Sequence, residues 1–188
     1  AYRRAVQEML PHADIVADRF HVMKQLNHQI DLIRRSMQRK AKKSGDEALY
    51  QVLKGNRWVL LKKRSELNPE QEAKLRTILA TSSELRALYL LREEFHIICD
   101  KIDDRARAER FLSAWIWKAM LTGSRYLRRF VKTLRNWWHE FLNYFIDRVT
   151  QGFVEGVNRA IRGIINRAFG YRNFDNFRLQ VLVECGGG

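Results

Sequence analysis

Ala13-Asp14-Ile15-Val16-Ala17-Asp18 runs directly into Arg19-Phe20-His21-Val22. The first six residues form a short run with β-branched side chains, bounded by Pro11 and by charge, and they read as a strand with an aspartate at its end. No other stretch of the chain reads as convincingly as a strand. From Phe20 onward the period changes. Val22, Leu26, Ile30 and Ile33 recur at three- and four-residue steps, the spacing of one helix face. The run continues through Arg34, Arg35, Arg39, Lys40, Lys42 and Lys43 to a stop at Ser44-Gly45.

Outward from that junction, helices dominate. On the N-terminal side, Ala5, Met9 and Leu10 share a helical face between Tyr2 and Leu10, and Pro11 ends it. On the C-terminal side only 2 Pro and 10 Gly punctuate the whole chain, so long helices are expected. After a break at Gly55-Asn56, Trp58, Leu60 and Leu61 precede the cationic cluster Lys62-Lys63-Arg64. Asn68 followed by Pro69 is a helix start, with the amide side chain as N-cap and proline at the first helical position. Ser82 or Ser83 divides the apolar pattern from Thr77 to Leu91 into two helices. Leu85, Leu88, Leu91, Phe95, Ile98 and Ile102 then form one stripe. Two further helices are predicted over Arg105–Met120 and Ser124–Phe145, so residues 45–145 read as an all-helical block.

Lys and Arg number 35 against 21 Asp and Glu, a formal net charge of +14. Such a surplus favours a polyanionic partner, because each phosphate neutralised releases condensed counterions. Nucleic acid is therefore expected. A membrane is not, since no apolar run approaches the ~18 residues of a span and no signal peptide is recognisable. Cys99 and Cys185 lack any metal-ligand or disulfide-framework spacing and read as reduced, small apolar residues, which suits a cytoplasmic location. Between Arg125 and Arg135 the chain carries Arg125, Arg128, Arg129, Lys132 and Arg135 with no acid among them, more cations than solubility requires. They are candidates to line a DNA path, as are Arg34 to Lys43 and Lys62 to Arg64. Trp115, Trp117, Trp137 and Trp138 fall at helical spacing and read as core.

Near the C-terminus stands Gln151-Gly152-Phe153-Val154-Glu155-Gly156-Val157-Asn158-Arg159. On a helix, Glu155, Asn158, Arg159, Arg162 and Asn166 share one broad face, while Val154, Val157, Ile161, Ile164 and Ile165 supply the core side. Taken alone, Glu155 is a surface acid paired with Arg159 four residues on, worth ~0.3–0.5 kcal/mol.

This segment, with Gly170-Tyr171-Arg172-Asn173-Phe174 after it, resembles the Glu-Gly-x-Asn motif and the following tail of bacterial insertion-sequence transposases of the DDE type. Asp18-Arg19-Phe20-His21 with Asn27 downstream resembles the Asp-x-x-His signature of the same family. The two matches stand in the family's order, with a helix-rich block between them. The resemblance implies the C-terminal part of a ribonuclease H-like α/β domain, predominantly α by residue count, with a large all-helical insertion. Residues 1–44 and 146–185 would belong to the catalytic domain, 45–145 to the insertion and 186–188 to a flexible tail. It implies metal-dependent cleavage and strand transfer of transposon-end DNA into target DNA. Mg²⁺ (or Mn²⁺) would be held by carboxylates, Glu155 being the last of them.

Asp18 then has two assignments, an accessory residue acting with His21 or the second metal-holding carboxylate, beside the plain role of a helix N-cap. Asn158, Arg159 and Arg162 would contact DNA, and the protein would act as a homo-oligomer on it. The family's other aspartates end earlier strands, so this stretch alone is expected to be inactive. The alternative is a non-enzymatic, basic helical DNA-binding module, for which charge and helicity suffice.

Overall fold

The computed structural model describes residues 14–147, 151–168 and 170–185; the helix expected over Tyr2–Leu10 lies outside them. The chain divides into two units, Ala1–Arg148 and Val149–Gly188. In the first, α1 (Arg19–Ser44), α2 (Glu47–Leu53), α3 (Arg57–Leu61), α4 (Pro69–Ala80), α5 (Ser83–Lys101), α6 (Arg105–Leu121), α7 (Arg125–Asn136) and α8 (Trp138–Asp147) succeed one another, with a 3₁₀ turn at Arg64–Glu66. The second contains α9 (Gln151–Arg167) and α10 (Phe174–Cys185).

Helix ends fall where local chemistry supplies partners for orphan backbone groups. The Asp18 carboxylate accepts from the Phe20 N–H at 2.8 Å and caps α1. At the other end Gly45 takes φ 74°, a left-handed conformation that a side chain would strain, and its N–H reaches the Ala41 carbonyl. Asn68 and Gln71 form a reciprocal capping box at the start of α4, with Pro69 in the first turn. Ser82, not Ser83, caps α5.

Two expectations are corrected. Residues 14–18 make no strand, and no strand occurs among the described residues. The Ala17 N–H donates to the Glu140 carbonyl at 2.8 Å, and the Asn143 side-chain amide donates to the Ile15 carbonyl at 3.0 Å. Their neighbour is thus helix α8, whose carbonyls point along its own axis and cannot continue a ladder. The α character of the chain holds; its α/β component finds no strand here.

The single helix predicted over Ser124–Phe145 is two, because Trp137 leaves helical geometry at φ −116°, ψ 25°. Packing explains the break. Phe130 and Phe141 lie about 16 Å apart along a straight helix, yet their rings sit 5.5 and 5.8 Å from Phe95. Bending at Trp137 brings both onto one aromatic cluster. Trp115 completes that cluster, 5.0 Å from Phe95, and its indole N–H donates to the Leu91 carbonyl at 2.7 Å.

Arg92 is buried inside this unit. Its guanidinium donates to Asn27 Oδ1 at 2.6 Å, to the Lys62 carbonyl at 3.3 Å, to the Leu61 carbonyl and to Glu93 Oε1 at 2.5 Å. Burial without these acceptors would cost several kcal/mol; with them, one cation ties α1, α3 and α5 together. Cys99 is fully buried, and burial pushes its thiol pKa up to about 12, in keeping with a small apolar residue.

In the second unit α9 and α10 pack on one another, and the tail motif makes the turn between them. Gly170 takes φ 97° and Asn173 accepts from the Asp175 N–H at 2.8 Å, opening α10. Tyr171 and Phe174 pack against Phe177 at 5.3 and 6.1 Å. Arg167 pairs with Glu184, whose carboxyl is held below its usual range by hydrogen bonds from Gln180 and Arg167.

Candidate nucleic-acid interface

Helix α7 has the sharpest division of polarity in the chain. Tyr126, Leu127, Phe130, Val131 and Leu134 are buried, while Arg125, Arg128, Arg129, Lys132 and Arg135 are all exposed. Their three- and four-residue steps make one cationic face about 15 Å long. None of the five lies within ion-pair distance of a carboxylate among the described residues. Arg125 instead lies over the Tyr126 ring at 4.9 Å and bonds its hydroxyl at 2.9 Å; Arg128 donates to the Gly123 carbonyl at 3.1 Å. Cations in the first turn oppose the helix dipole, and α7 has no acid there to offset them. The local energetics disfavour this arrangement, so it points to an anionic partner.

The other basic clusters differ. Arg34 is buried and donates to Asp31 at 2.8 and 3.0 Å and to the Leu53 carbonyl at 3.1 Å, so it fastens α1 to α2 rather than facing a ligand. Asp31 also pairs with Arg35 at 2.8 Å and lies 3.7 Å from Arg57. Lys63 pairs with Asp100 at 2.9 Å, Arg19 pairs with the same carboxylate, and Arg64 pairs with Glu72 at 2.6 Å. Burial would raise the Asp100 carboxyl, but bonds and charge from Lys63 and Arg19 outweigh it and hold the carboxyl below its usual range. Arg34, Arg35, Lys63 and Arg64 are thus neutralised from within, whereas Arg39, Lys40, Lys42, Lys43 and Lys62 have no carboxylate within ion-pair distance among the described residues.

α7 lies antiparallel to α1, since its two ends border different parts of that helix. At its N-terminal end Arg125 and Tyr126 share a groove of about 650 Å³ with Ser36, Met37 and Lys40 of α1. At its C-terminal end Phe130, Thr133, Leu134 and Trp137 share a smaller cleft, about 420 Å³, with Asp18, His21 and Val22. The axis of α7 therefore runs from beside Lys40 towards the Asp18–His21 pair; of the five cations Arg125 borders the first groove, none borders the second, and Arg135 borders a separate one with Glu109 and Trp138.

Asp18 acts as N-cap through Oδ1, while Oδ2 stands 3.6 Å from His21 Nδ1. A carboxylate oxygen and an imidazole nitrogen are two donors of the kind a divalent ion accepts. Among the described residues no third His, Cys, Asp or Glu joins them. Two donors alone do not make a divalent-ion site. The backbone of Glu155 lies in α9, but its side chain is outside the described residues, as are those of Val154 and Val157. On the same helix Asn158, Arg159, Arg162 and Asn166 are exposed, as their shared face predicts, and Ile164 is buried.

Of the four tryptophans expected in the core, Trp115 is there; Trp117 is 66% and Trp137 38% exposed. Among the described residues no helix is long and apolar enough to cross a membrane.

The described residues thus combine a helical scaffold, an exposed basic face on α7 and an Asp-x-x-His pair at the start of α1. The chain belongs to a transposase family, the ISL3 group, whose model matches residues 1–181. It is 29% identical over all 188 residues to the transposase for insertion sequence element IS1001 of Bordetella parapertussis. The chain spans 46% of that relative's length. No solved structure matches it.

Proposed function

We propose that this chain forms part of a DDE-type transposase with a ribonuclease H-like catalytic domain, which cleaves transposon-end DNA and joins it to target DNA. The exposed cationic row of α7, a helix whose C-terminal end packs beside Asp18 and His21, is the observation that carries this. Arg125, Arg128, Arg129, Lys132 and Arg135 would hold the phosphates of the duplex, which positions DNA without reading its sequence. Asn158, Arg159 and Arg162 would contact it from α9. Glu155 would hold Mg²⁺ (or Mn²⁺), with Asp18 as a further oxygen donor or as the residue that orients His21. A divalent ion bound there supplies charge stabilisation at the phosphate and a more acidic bound water. Two copies or more would assemble on the DNA.

Glu155→Gln in the complete transposase tests the proposal, because it removes the charge and keeps the shape. Strand cleavage in Mg²⁺ falls by at least about 100-fold, the scale of losing one electrostatic group from an active site, while duplex affinity stays within twofold or so. Undiminished cleavage would remove Glu155 from the site. A protein that binds duplex yet never cuts it, with any divalent ion, would be the basic helical module instead.

A further inference from the structure

On the first unit, the N-terminal half of α1, α3 and the middle of α5 enclose a cleft of about 920 Å³ that plays no part in the function proposed above. Its size suits a small organic group with its substituents. Gln25 borders both this cleft and the one holding Asp18 and His21, so the two are neighbours.

Three features of the lining point the same way. Two large aromatic rings stand open at it, Phe20 at 56% and Trp58 at 70% exposure, and Trp58 has Arg57 over its ring at 5.1 Å. Cations dominate it: Lys24, Arg57, Lys62, Lys63 and Arg92 against the single acid Glu66. Lys24 and Lys62 have no carboxylate within ion-pair distance among the described residues, Lys62 meeting only Gln71 Oε1 at 3.5 Å. Finally, both ring nitrogens of His96 are buried without a hydrogen-bond partner. Burial, then the charge of Arg92, lowers the His96 pKa to about 4, so at neutral pH the ring offers one donor and one acceptor. The Asn27 carboxamide is fixed by accepting from Arg92 Nε at 2.6 Å, which leaves its NH₂ group for an occupant.

Flat apolar faces, a paired donor and acceptor, and cations at the rim are together the complement of a nucleotide. We infer that this cleft takes one unpaired base of DNA with its phosphate: Phe20 and Trp58 cover the ring, His96 and Asn27 meet its edge, and Lys24 and Lys62 hold the phosphate. The inference rests on the chain being a DNA-binding protein. A base displaced from a duplex tracking along α7 would then be held one helix face away from Asp18.

Binding of the full chain to three short labelled duplexes tests this: one fully paired, one with a single unpaired adenine, and one with an abasic residue in that adenine's place. The unpaired adenine strengthens binding about tenfold over both others, within the range of a single base–aromatic stack. Trp58→Ala, at an exposed position whose helix content circular dichroism checks, abolishes that preference and leaves paired-duplex affinity unchanged. Replacing Arg128, Arg129 and Lys132 by Ala weakens all three duplexes alike and keeps the preference. Equal binding of the three, or a preference that survives Trp58→Ala, would overturn the assignment. Adenosine monophosphate competing as well as the adenine-bearing duplex would do so too, by making the ligand a free nucleotide. Failure to bind any duplex would overturn the DNA-binding function as well, so the two failures are distinguishable.

Discussion

Asp18 carries two roles that substitutions can separate. As N-cap its carboxylate satisfies the Phe20 N–H, and Asn caps a helix as well as Asp does. Asp18→Asn is therefore expected to keep stability, while Asp18→Ala lowers the unfolding free energy by about 1 kcal/mol, measured by urea denaturation. If the carboxylate also serves the metal or His21, both variants lose cleavage; cleavage retained by Asp18→Asn would leave the cap as the only role.

His96 makes a pH-dependent contribution of predictable sign. Its folded pKa, about 4, lies below the ordinary 6.5. The unfolded chain binds the extra proton between those values, so the stability due to a neutral His96 is complete above about pH 6.5 and lost as pH falls towards 4. Discounted for the partial exposure of the ring, the loss between pH 7 and 4.5 is on the order of 1 kcal/mol. Urea midpoints of the native chain and His96→Leu at the two pH values check this: the variant shows a smaller acid shift. His96 is also the residue whose importance the sequence conceals most. Nothing in the order Phe95-His96-Ile97 shows that the ring lines the same cleft as Trp58, 38 positions earlier, because only the folded chain brings the two to it.

At the scale of elements, helix limits are the most legible feature, since they depend on neighbours in sequence. Ser44-Gly45, Gly55-Asn56, Asn68-Pro69 and Ser82 mark breaks and caps from their own chemistry, and α1 stops, and α3, α4 and α5 start, at those positions. The break at Trp137 is invisible because its cause, two phenylalanines reaching for Phe95, is tertiary. The run at 14–18 misleads for a similar reason: β-branched residues favour extension, but only a partner strand makes a sheet.

Charge is likewise legible in amount and not in availability. Arg34 and Arg35 look as free as Arg128 and Arg129, yet Asp31 holds the first two. Exposed and unneutralised, α7 is the element whose charges ought to act on DNA. Changing Arg128, Arg129 and Lys132 to Ala should alter folding stability by less than about 0.5 kcal/mol. The slope of log affinity against log salt should fall by about 2.7, three phosphate contacts at ~0.9 each. A slope unchanged within error would mean that DNA lies elsewhere.

At the scale of the molecule, the net charge of +14 favours a polyanionic partner, and membership of a transposase family agrees with that expectation. The two sequence matches, at Asp18 and at Glu155, fall in different units of the fold. Their order is legible in the chain; that they meet at one metal ion is what is proposed. That meeting is the centre of the functional proposal, and iron-directed backbone cleavage measures it. Fe²⁺ replaces Mg²⁺ in the complete transposase on duplex DNA, and ascorbate with peroxide then generates hydroxyl radicals that cut the nearest peptide bonds. The proposal predicts cuts beside both Asp18 and Glu155, suppressed by excess Mg²⁺ and absent in Glu155→Gln. Cuts confined to one of the two segments, or unaffected by Mg²⁺, would contradict it.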